Sequence, residues 1–282
     1  MSETNEEAIS RRMRGLDRAF EILDFLGQRR EAMRPNEIAA QIGAPRSTVY
    51  ELVNLLLRNG ILEYRGDQGH VFLGRKLYFL GMSYHAEFDL LRECNSVLAE
   101  IAEETRETAQ LCMLNGNKYT VAMMKEGGRP FRISSDVGER VPIPWTASGR
   151  LLVSHLSDSE ILELIPKEDF QLPNGEWLPP PEFIAEVRQA AKSGYFTFRS
   201  IVDSFTQCFA VPVLNQDREC IATLCLVAPR EDGLQNRDAY LNSLTRAAHE
   251  LSTRIGVSLS PISKVLAHPP RQFSRALSSS GK

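Results

Sequence analysis

A stretch of forty residues, from Arg34 to Leu73, places the strongest constraint on how this chain can fold. Residues 35–42 form a short helical pattern that opens with proline, a residue that a first helical turn tolerates. Gly43 follows, a residue type that commonly ends a helix, and a second helical pattern runs from Arg46 to Asn59. Apolar residues recur at helical spacing in this second pattern, which predicts one buried face. They are Val49, Leu52, Val53 and Leu56.

The opposite face of the second predicted helix carries side chains that can form hydrogen bonds. A helix, a tight turn and a second helix with a polar outer face form the helix-turn-helix pattern, in which the second helix enters the major groove of DNA. We therefore predict that this face contacts DNA. In an alternative interpretation the helices are a structural layer and the polar face is only hydrated. The predicted contact residues are Arg46, Ser47, Thr48, Tyr50 and Asn54.

Two short strand patterns follow, at residues 61–65 and 70–73, separated by a four-residue turn with glycine at both ends. This hairpin is the expected wing of a winged helix-turn-helix domain. The net charge of the chain is −3, but eleven arginines and one lysine precede position 77, so positive charge is concentrated near this domain. The candidates for phosphate contacts or for a minor-groove arm are Arg11, Arg12, Arg65 and Arg75.

The composition indicates a globular protein with neither a metal nor a cofactor. With 282 residues, of which 43% are hydrophobic, the chain can form two domains. No run of 18 apolar residues occurs and the amino terminus is acidic, so we expect a cytoplasmic protein without a membrane partner. The five cysteines contain no C-x-x-C pair and the five histidines are scattered, which indicates no disulfide framework and no metal site. Common nucleotide-binding, hydrolase and metalloprotease motifs are missing, and no enzyme is predicted.

Hydrophobic patterns divide the chain into five segments. Residues 1–10 are polar and are expected to be disordered, residues 11–74 form the winged helix-turn-helix domain, and residues 75–89 have the spacing of a linker helix. Residues 90–258 form a second domain, and residues 259–282 a disordered tail. The first helix of the DNA-binding domain is expected to bury the stripe Leu16, Ala19, Phe20, Leu23 and Leu26.

The second domain contains both strand and helix patterns, with hairpin turns between strands. This arrangement predicts an α+β fold built on an antiparallel sheet. The expected strands are residues 109–114, 118–125, 131–134, 206–214 and 220–228. A helical stripe at residues 91–105 opens the domain, and the further expected helices are residues 146–155, 158–165, 182–192 and 236–258.

Several blocks, in the same order along the chain, resemble the IclR family of bacterial transcriptional regulators. In the first domain they are Gly15 to Leu23, Glu37 to Ala39, Gly43 to Val49, Leu55 to Gly60 and Leu73 to Arg75. In the second domain they are Pro142 to Leu152, Gly194-Tyr195, Gln207 to Val213 and Ala228-Pro229. The resemblance covers roughly residues 14–258. It implies an amino-terminal winged helix-turn-helix domain, a linker helix and a carboxy-terminal GAF-like domain that binds a small-molecule effector.

The resemblance also implies where the effector binds, between the start of the first helix after residue 145 and the sheet. Free backbone N–H groups at that helix start would favour a carboxylate or a carbonyl. Alternatively, the small residues there only allow close packing. Carried over position by position, the implied pocket residues are Ala147, Ser148, Phe198, Cys208, Cys225 and Val227, with Ile133 and Val141 as weaker candidates.

Two departures from the family pattern bear on specificity. Phe198, Cys225 and Val227 stand where many members have acidic residues or serines, which favours an effector with an apolar or aromatic part that can bear one acidic end. Glu51 stands where arginine is frequent. Two roles are open for Glu51. It can accept a hydrogen bond from the amino group of cytosine, or it can form an ion pair within the protein with Arg46 or Arg58.

These patterns together predict a DNA-binding transcriptional regulator, with repression favoured over activation. It is expected to bind a palindromic operator in double-stranded DNA as a homodimer or homotetramer, with an affinity controlled by the effector. The alternative is a small-molecule sensor or enzyme whose amino-terminal domain binds a protein instead of DNA. A steep loss of binding with added salt would favour DNA over a protein partner.

Overall fold

The structure, a computed structural model, describes residues 3–66, 68–87, 89–129, 137–200 and 205–254. Side chains are described from residue 15 onward, except at 84–87 and 89. The chain divides into two compact units with the boundary between residues 87 and 88. The strand predicted at 131–134 and the tail predicted at 259–282 lie outside the described residues.

The described part of the amino-terminal unit contains four helices and a two-stranded antiparallel hairpin. The first helix begins at Glu3, so residues 3–10, which were expected to be disordered, are helical. This segment contains neither proline nor glycine, and its glutamates lie at the end of a helix where the dipole favours negative charge. The elements are α1 (Glu3–Arg29), α2 (Pro35–Gln41), α3 (Arg46–Arg58), β1 (Leu62–Arg65), β2 (His70–Leu73) and α4 (Arg75–Glu87).

A small hydrophobic core holds α1, α2, α3 and the hairpin together. Ile22 and Leu26 from α1 are fully buried in it. Leu16 and Phe20 remain 60% and 57% exposed, so the prediction that they are core residues is wrong for this unit. The reason is geometric, because at 3.6 residues per turn both positions lie well away from the side of α1 that carries Ile22 and Leu26. The other buried members are Ile38, Ala39, Ile42, Val49, Val53, Leu62 and Val71.

In its described residues, the carboxy-terminal unit is an α+β domain on a six-stranded, fully antiparallel sheet, in the order β5-β4-β3-β8-β7-β6. The sheet includes two short edge strands, β5 and β6, that the sequence patterns did not predict. The strands are β3 (Thr108–Asn115), β4 (Lys118–Lys125), β5 (Arg140–Pro142), β6 (Phe196–Arg199), β7 (Thr206–Leu214) and β8 (Cys220–Pro229). The helices are α5 (Asp89–Thr105), α6 (Ala147–Leu152), α7 (Asp158–Leu164), α8 (Pro180–Ser193), α9 (Arg230–Gln235) and α10 (Arg237–Arg254).

Helices cover both faces of this sheet. Helices α5 and α10 pack on one face, and α6 packs on the other with α8 against it. Successive side chains of a strand point to opposite faces. In β8, Leu224 and Leu226 accordingly lie in the core under α5 and α10, whereas Cys225 and Val227 lie in the core under α6. The sheet therefore presents two independent rows of side chains, and only the face under α6 contains the predicted effector residues.

Among the described residues, no helix is long and apolar enough to cross a membrane. The same part of the chain contains no group of three or more histidine, cysteine, aspartate or glutamate side chains placed to hold a metal ion. All five cysteines are free thiols.

A close backbone contact follows β4, where Gly127 lies against the turn that leads into β3. A Cβ atom at this position would overlap the carbonyl group of Arg106 and the backbone nitrogen of Glu107. Gly128, the next residue, has open space where a Cβ atom would be. Position 127 therefore requires glycine, because two backbone segments are in contact there and leave no room for a side chain. Position 128 has no such requirement.

We predict that Gly127→Ala lowers the free energy of unfolding of the carboxy-terminal unit by about 1–3 kcal/mol, because the backbone must move to admit the methyl group. Gly128→Ala is the matched control and should change it by less than about 0.5 kcal/mol. Both tryptophans, Trp145 and Trp177, lie in this unit, so urea unfolding followed by tryptophan fluorescence measures it directly. Equal midpoints for the two variants would contradict the assignment of the close contact.

Candidate functional site

Helix α3 presents the polar face that the sequence predicted. Val49 and Val53 are buried, and Leu52 and Leu56 are partly buried against the same core. The predicted DNA contacts Arg46, Ser47, Tyr50 and Asn54 are all exposed, and Thr48 is partly exposed. Their spacing places the exposed side chains along one side of the helix. The arrangement is a continuous strip of hydrogen-bonding groups on a helix whose other side is fixed in the core.

The wing is attached to the start of α2. Strands β1 and β2 pair from Leu62 with Leu73 to Arg65 with His70. The guanidinium group of Arg34 donates hydrogen bonds to the carbonyl oxygen of Gln68, at 3.2 Å, and to its side-chain oxygen, at 2.7 Å. Arg65 is exposed on the wing. These contacts hold the turn of the wing in place relative to the helix-turn-helix.

An ion pair joins the wing to the first residue of α4. The backbone N–H and the guanidinium Nε of Arg75 both donate to one carboxylate oxygen of Glu63, at 3.1 and 2.8 Å. The hydrogen bond from the Arg75 side chain is the main cause that lowers the pKa of Glu63. Arg75, a candidate for a phosphate contact, thus already has an intramolecular partner, and its placement connects α4 to strand β1.

Arg11 and Arg12 lie within the described length of α1, and their backbone is helical. Their side chains are outside the description. Their roles as a minor-groove arm or as phosphate contacts stay predictions from the sequence.

The six implied effector residues lie on one side of the carboxy-terminal sheet. Phe198 pairs with Cys208, and Cys208 pairs with Val227, so these three form one row across β6, β7 and β8. Cys225 belongs to the adjacent row, opposite Ala210. Ala147 and Ser148 begin α6, which packs against β6, β7, β8 and β3. We call this set the ligand face, defined by Ala147, Ser148, Phe198, Cys208, Cys225 and Val227.

The inner end of the ligand face contains polar groups that the sequence interpretation missed. Cys112 on β3 pairs with Thr223 on β8, and its thiol shares a hydrogen bond of 3.1 Å with the hydroxyl of Tyr119. Burial raises the pKa of Cys112 to about 12, so the thiol is protonated at neutral pH. The hydroxyl oxygens of Ser148 and Thr223 are buried and form no hydrogen bond of standard geometry in the described structure, although both side chains lie close enough to Cys112 to lower the pKa of its thiol. Polar and apolar residues alternate along β3 and β8, and this pattern in the sequence indicates that one face of the sheet carries polar groups.

A buried arginine supports the outer end of the ligand face. Arg150 is 1% exposed, and two of its guanidinium nitrogens donate to a carboxylate oxygen of Glu186, at 2.6 and 2.9 Å. Its guanidinium carbon lies 4.4 Å from the ring centroid of Phe198, and the rings of Phe196 and Phe183 are also within 5.2 Å. Burial lowers the pKa of Arg150, and the charge of Glu186 opposes that change. The charge is compensated inside the protein, and the stacked rings fix the position of Phe198.

The start of α6 offers fewer free backbone donors than the sequence suggested. The helix has six residues, and the hydroxyl oxygen of Thr146 accepts the N–H of Gly149 at 2.9 Å. Of the two weaker candidates, Val141 lies on β5 at the edge of the same core, and Ile133 is outside the described residues. A ligand on this face would therefore meet hydroxyl, thiol and apolar groups for the most part.

We predict that Glu186→Gln lowers the free energy of unfolding of the carboxy-terminal unit by about 2–3 kcal/mol, because it leaves the buried charge of Arg150 uncompensated. Glu182→Gln, on the exposed first turn of the same helix, is the matched control and should cost less than about 0.5 kcal/mol. Urea unfolding followed by tryptophan fluorescence compares the two. Similar midpoints would show that the Arg150–Glu186 pair contributes little.

Comparisons with known proteins agree with this architecture. Residues 15–66 match the IclR helix-turn-helix domain, and residues 82–253 match the bacterial transcriptional regulator IclR C-terminal domain. The regulator XynR of Escherichia coli is 25% identical over 247 residues, which cover 86% of this chain and 98% of XynR. The transcriptional repressor IclR of the same organism is 21% identical over 248 residues, which cover 86% of this chain and 90% of the repressor.

Two solved structures share the fold along most of their length. A putative IclR regulator from Silicibacter sp. TM1040 has a TM-score of 0.78 and 21% identity, covering 88% of this chain and 98% of its own. An IclR homologue from Microbacterium hydrocarbonoxydans in complex with 4-hydroxybenzoate has a TM-score of 0.71 and 24% identity, covering 86% and 98%. The two family models together span well over half of the 282 residues. The chain therefore belongs to the IclR family of DNA-binding transcriptional regulators.

Proposed function

We propose that this regulator binds a palindromic operator through α3 and the wing, and that a small molecule on the ligand face changes its affinity for that operator. The observation that carries the DNA-binding part is the exposed polar strip of α3 beside a wing held by Arg34. In this proposal Arg46, Ser47, Tyr50 and Asn54 contact base edges, and Thr48 and Arg65 contact the phosphate backbone at the edges of the groove. Binding to DNA agrees with the cytoplasmic location expected from the sequence.

Exposed apolar side chains on the amino-terminal unit support a homodimer or a dimer of dimers. Large apolar surface is commonly buried against another chain, and a second copy with two-fold symmetry would match a palindromic site. The two α3 helices would then read half-sites about one helical turn, roughly 34 Å, apart. The exposed apolar residues are Leu16 and Phe20 on α1, and Tyr78, Phe79, Leu80 and Met82 on α4.

An effector with an apolar or aromatic part suits the ligand face. Phe198 and Val227 provide apolar surface, and Cys208 and Cys225 are weak hydrogen-bonding groups. The unpartnered hydroxyl of Ser148 can bond one polar group of a ligand. The homologue from M. hydrocarbonoxydans was crystallised with 4-hydroxybenzoate, an aromatic acid, which supports the same class here.

The effector can act only through a difference in its affinity for the DNA-bound and free states. Helix α4 begins directly after the wing and is held to it by the Glu63–Arg75 ion pair, so a displacement of α4 would move the wing. We infer that this connection carries the response. We propose that the protein represses transcription of its target genes, because relatives such as the acetate operon repressor of Salmonella typhimurium are repressors.

We predict that Arg46→Ala weakens operator binding about 10- to 100-fold, the loss expected for one bidentate contact to a base. Lys192→Ala, which removes one positive charge from the exposed end of α8, is the matched control and should bind normally. Fluorescence anisotropy with labelled operator measures both, and circular dichroism verifies that both variants fold. Unchanged affinity for the Arg46 variant would remove this residue from the interface. Binding that does not weaken with salt would count against DNA as the partner.

We predict that an aromatic monocarboxylate binds the carboxy-terminal unit in isothermal calorimetry and that small dicarboxylates and oxo acids do not. Ser148→Ala should weaken this binding about 5- to 10-fold, the cost of one hydrogen bond of roughly 1 kcal/mol. Ser154→Ala, which deletes a hydroxyl group just after the end of α6, should leave it unchanged. If only the small acids bound, the proposed effector class would be wrong.

A further inference from the structure

Glu51 is an acidic side chain in the middle of the DNA-reading strip. It is exposed, one position after Tyr50 and three before Asn54 on α3. Within the residues that the structure describes, Glu51 forms neither a hydrogen bond nor an ion pair. The internal pairs with Arg46 or Arg58 that the sequence left open are therefore not formed. Its carboxylate is available to whatever lies against α3.

The surroundings of Glu51 are open and contain one positive charge. It lines a depression between α3 and β1 together with Asn54, Leu57, Arg58 and Tyr64. Arg58 lies seven positions later, about 10 Å along the helix axis, and in the described structure it forms no ion pair with Glu51. In the absence of DNA the carboxylate is simply hydrated. When α3 enters a groove, that hydration must be replaced by a hydrogen-bond donor or the charge will oppose binding.

The major groove offers few donors to a carboxylate. Guanine presents only acceptors there, and thymine presents an acceptor and a methyl group. Adenine presents an amino donor beside the acceptor N7, whereas cytosine presents its amino group without an acceptor on the same base. A carboxylate is therefore matched by cytosine, is poorly matched by adenine, and is repelled by guanine and thymine. Nearby phosphates add to the cost wherever this match is missing.

We propose that Glu51 determines specificity by selecting cytosine at one position of each operator half-site and rejecting guanine and thymine there. The proposal rests on the proposed binding of α3 in the major groove. In this proposal the carboxylate distinguishes between DNA sequences but does not strengthen binding to DNA in general. The reason is that its charge weakens binding to every sequence without the matching cytosine. Arg46 and Asn54, on the same strip, would contact other bases.

The test is selection from a palindromic DNA library with randomised half-sites, using the full chain and its Glu51→Ala and Glu51→Gln variants. Affinities for the selected operator and for the three operators that carry another base at the cytosine position are then measured by anisotropy. Glu31→Gln is the matched control, because it removes an exposed carboxylate from the same unit outside α3. Circular dichroism confirms folding of each variant.

We expect the wild-type protein to prefer cytosine about 10- to 100-fold over guanine and thymine at this position. In Glu51→Ala the preference should fall below about 3-fold, while binding to unmatched DNA becomes tighter, a gain that a merely structural role would not produce. Glu51→Gln should bind operators with adenine at this position more tightly than the wild-type protein does. Glu31→Gln should keep the wild-type preference for cytosine. An unchanged consensus in both Glu51 variants would overturn the inference. Failure of the wild-type chain to bind any duplex would instead overturn the proposed function.

Discussion

The burial of Val49 and Val53 is the interaction on which the proposed DNA-reading surface depends. These two residues hold one side of α3 in a core formed with α1, α2 and β1. Because the helix repeats every 3.6 residues, fixing that side leaves Arg46, Tyr50 and Asn54 directed outward. The polar strip therefore needs no support of its own. Its geometry comes from apolar packing on the other side of the same helix.

The ligand face depends on the corresponding property of a sheet. Side chains alternate between the two faces of a strand. One strand can therefore contribute side chains both to the core under α5 and α10 and to the face under α6. In β8 this separates Leu224 and Leu226 from Cys225 and Val227. The α5 and α10 side provides the rigid support. The α6 side contains the hydroxyl groups of Ser148 and Thr223 and the thiols of Cys112 and Cys225.

Two charged pairs connect these surfaces to their surroundings within each unit. Arg150 lies beneath Phe198 and is compensated by Glu186, so an aromatic residue of the ligand face rests on a group tied to α8. Glu63 pairs with Arg75 and ties the wing to α4. In both cases a carboxylate on one element holds a guanidinium group at the start or end of another. Charge-assisted hydrogen bonds of this kind are shorter and stronger than hydrogen bonds between neutral groups.

Local periodicity in the sequence was enough to determine the helix-turn-helix, the wing, the class of the second domain and the outward face of α3, because these depend on near neighbours along the chain. Local periodicity did not predict the edge strands β5 and β6, because they are only three and four residues long. The exposure of Leu16 and Phe20, the burial of Arg150 against three aromatic rings and the unpaired state of Glu51 were decided by the tertiary structure alone. Each depends on which distant residues meet, and burial and charge compensation are set by those contacts rather than by neighbours in sequence.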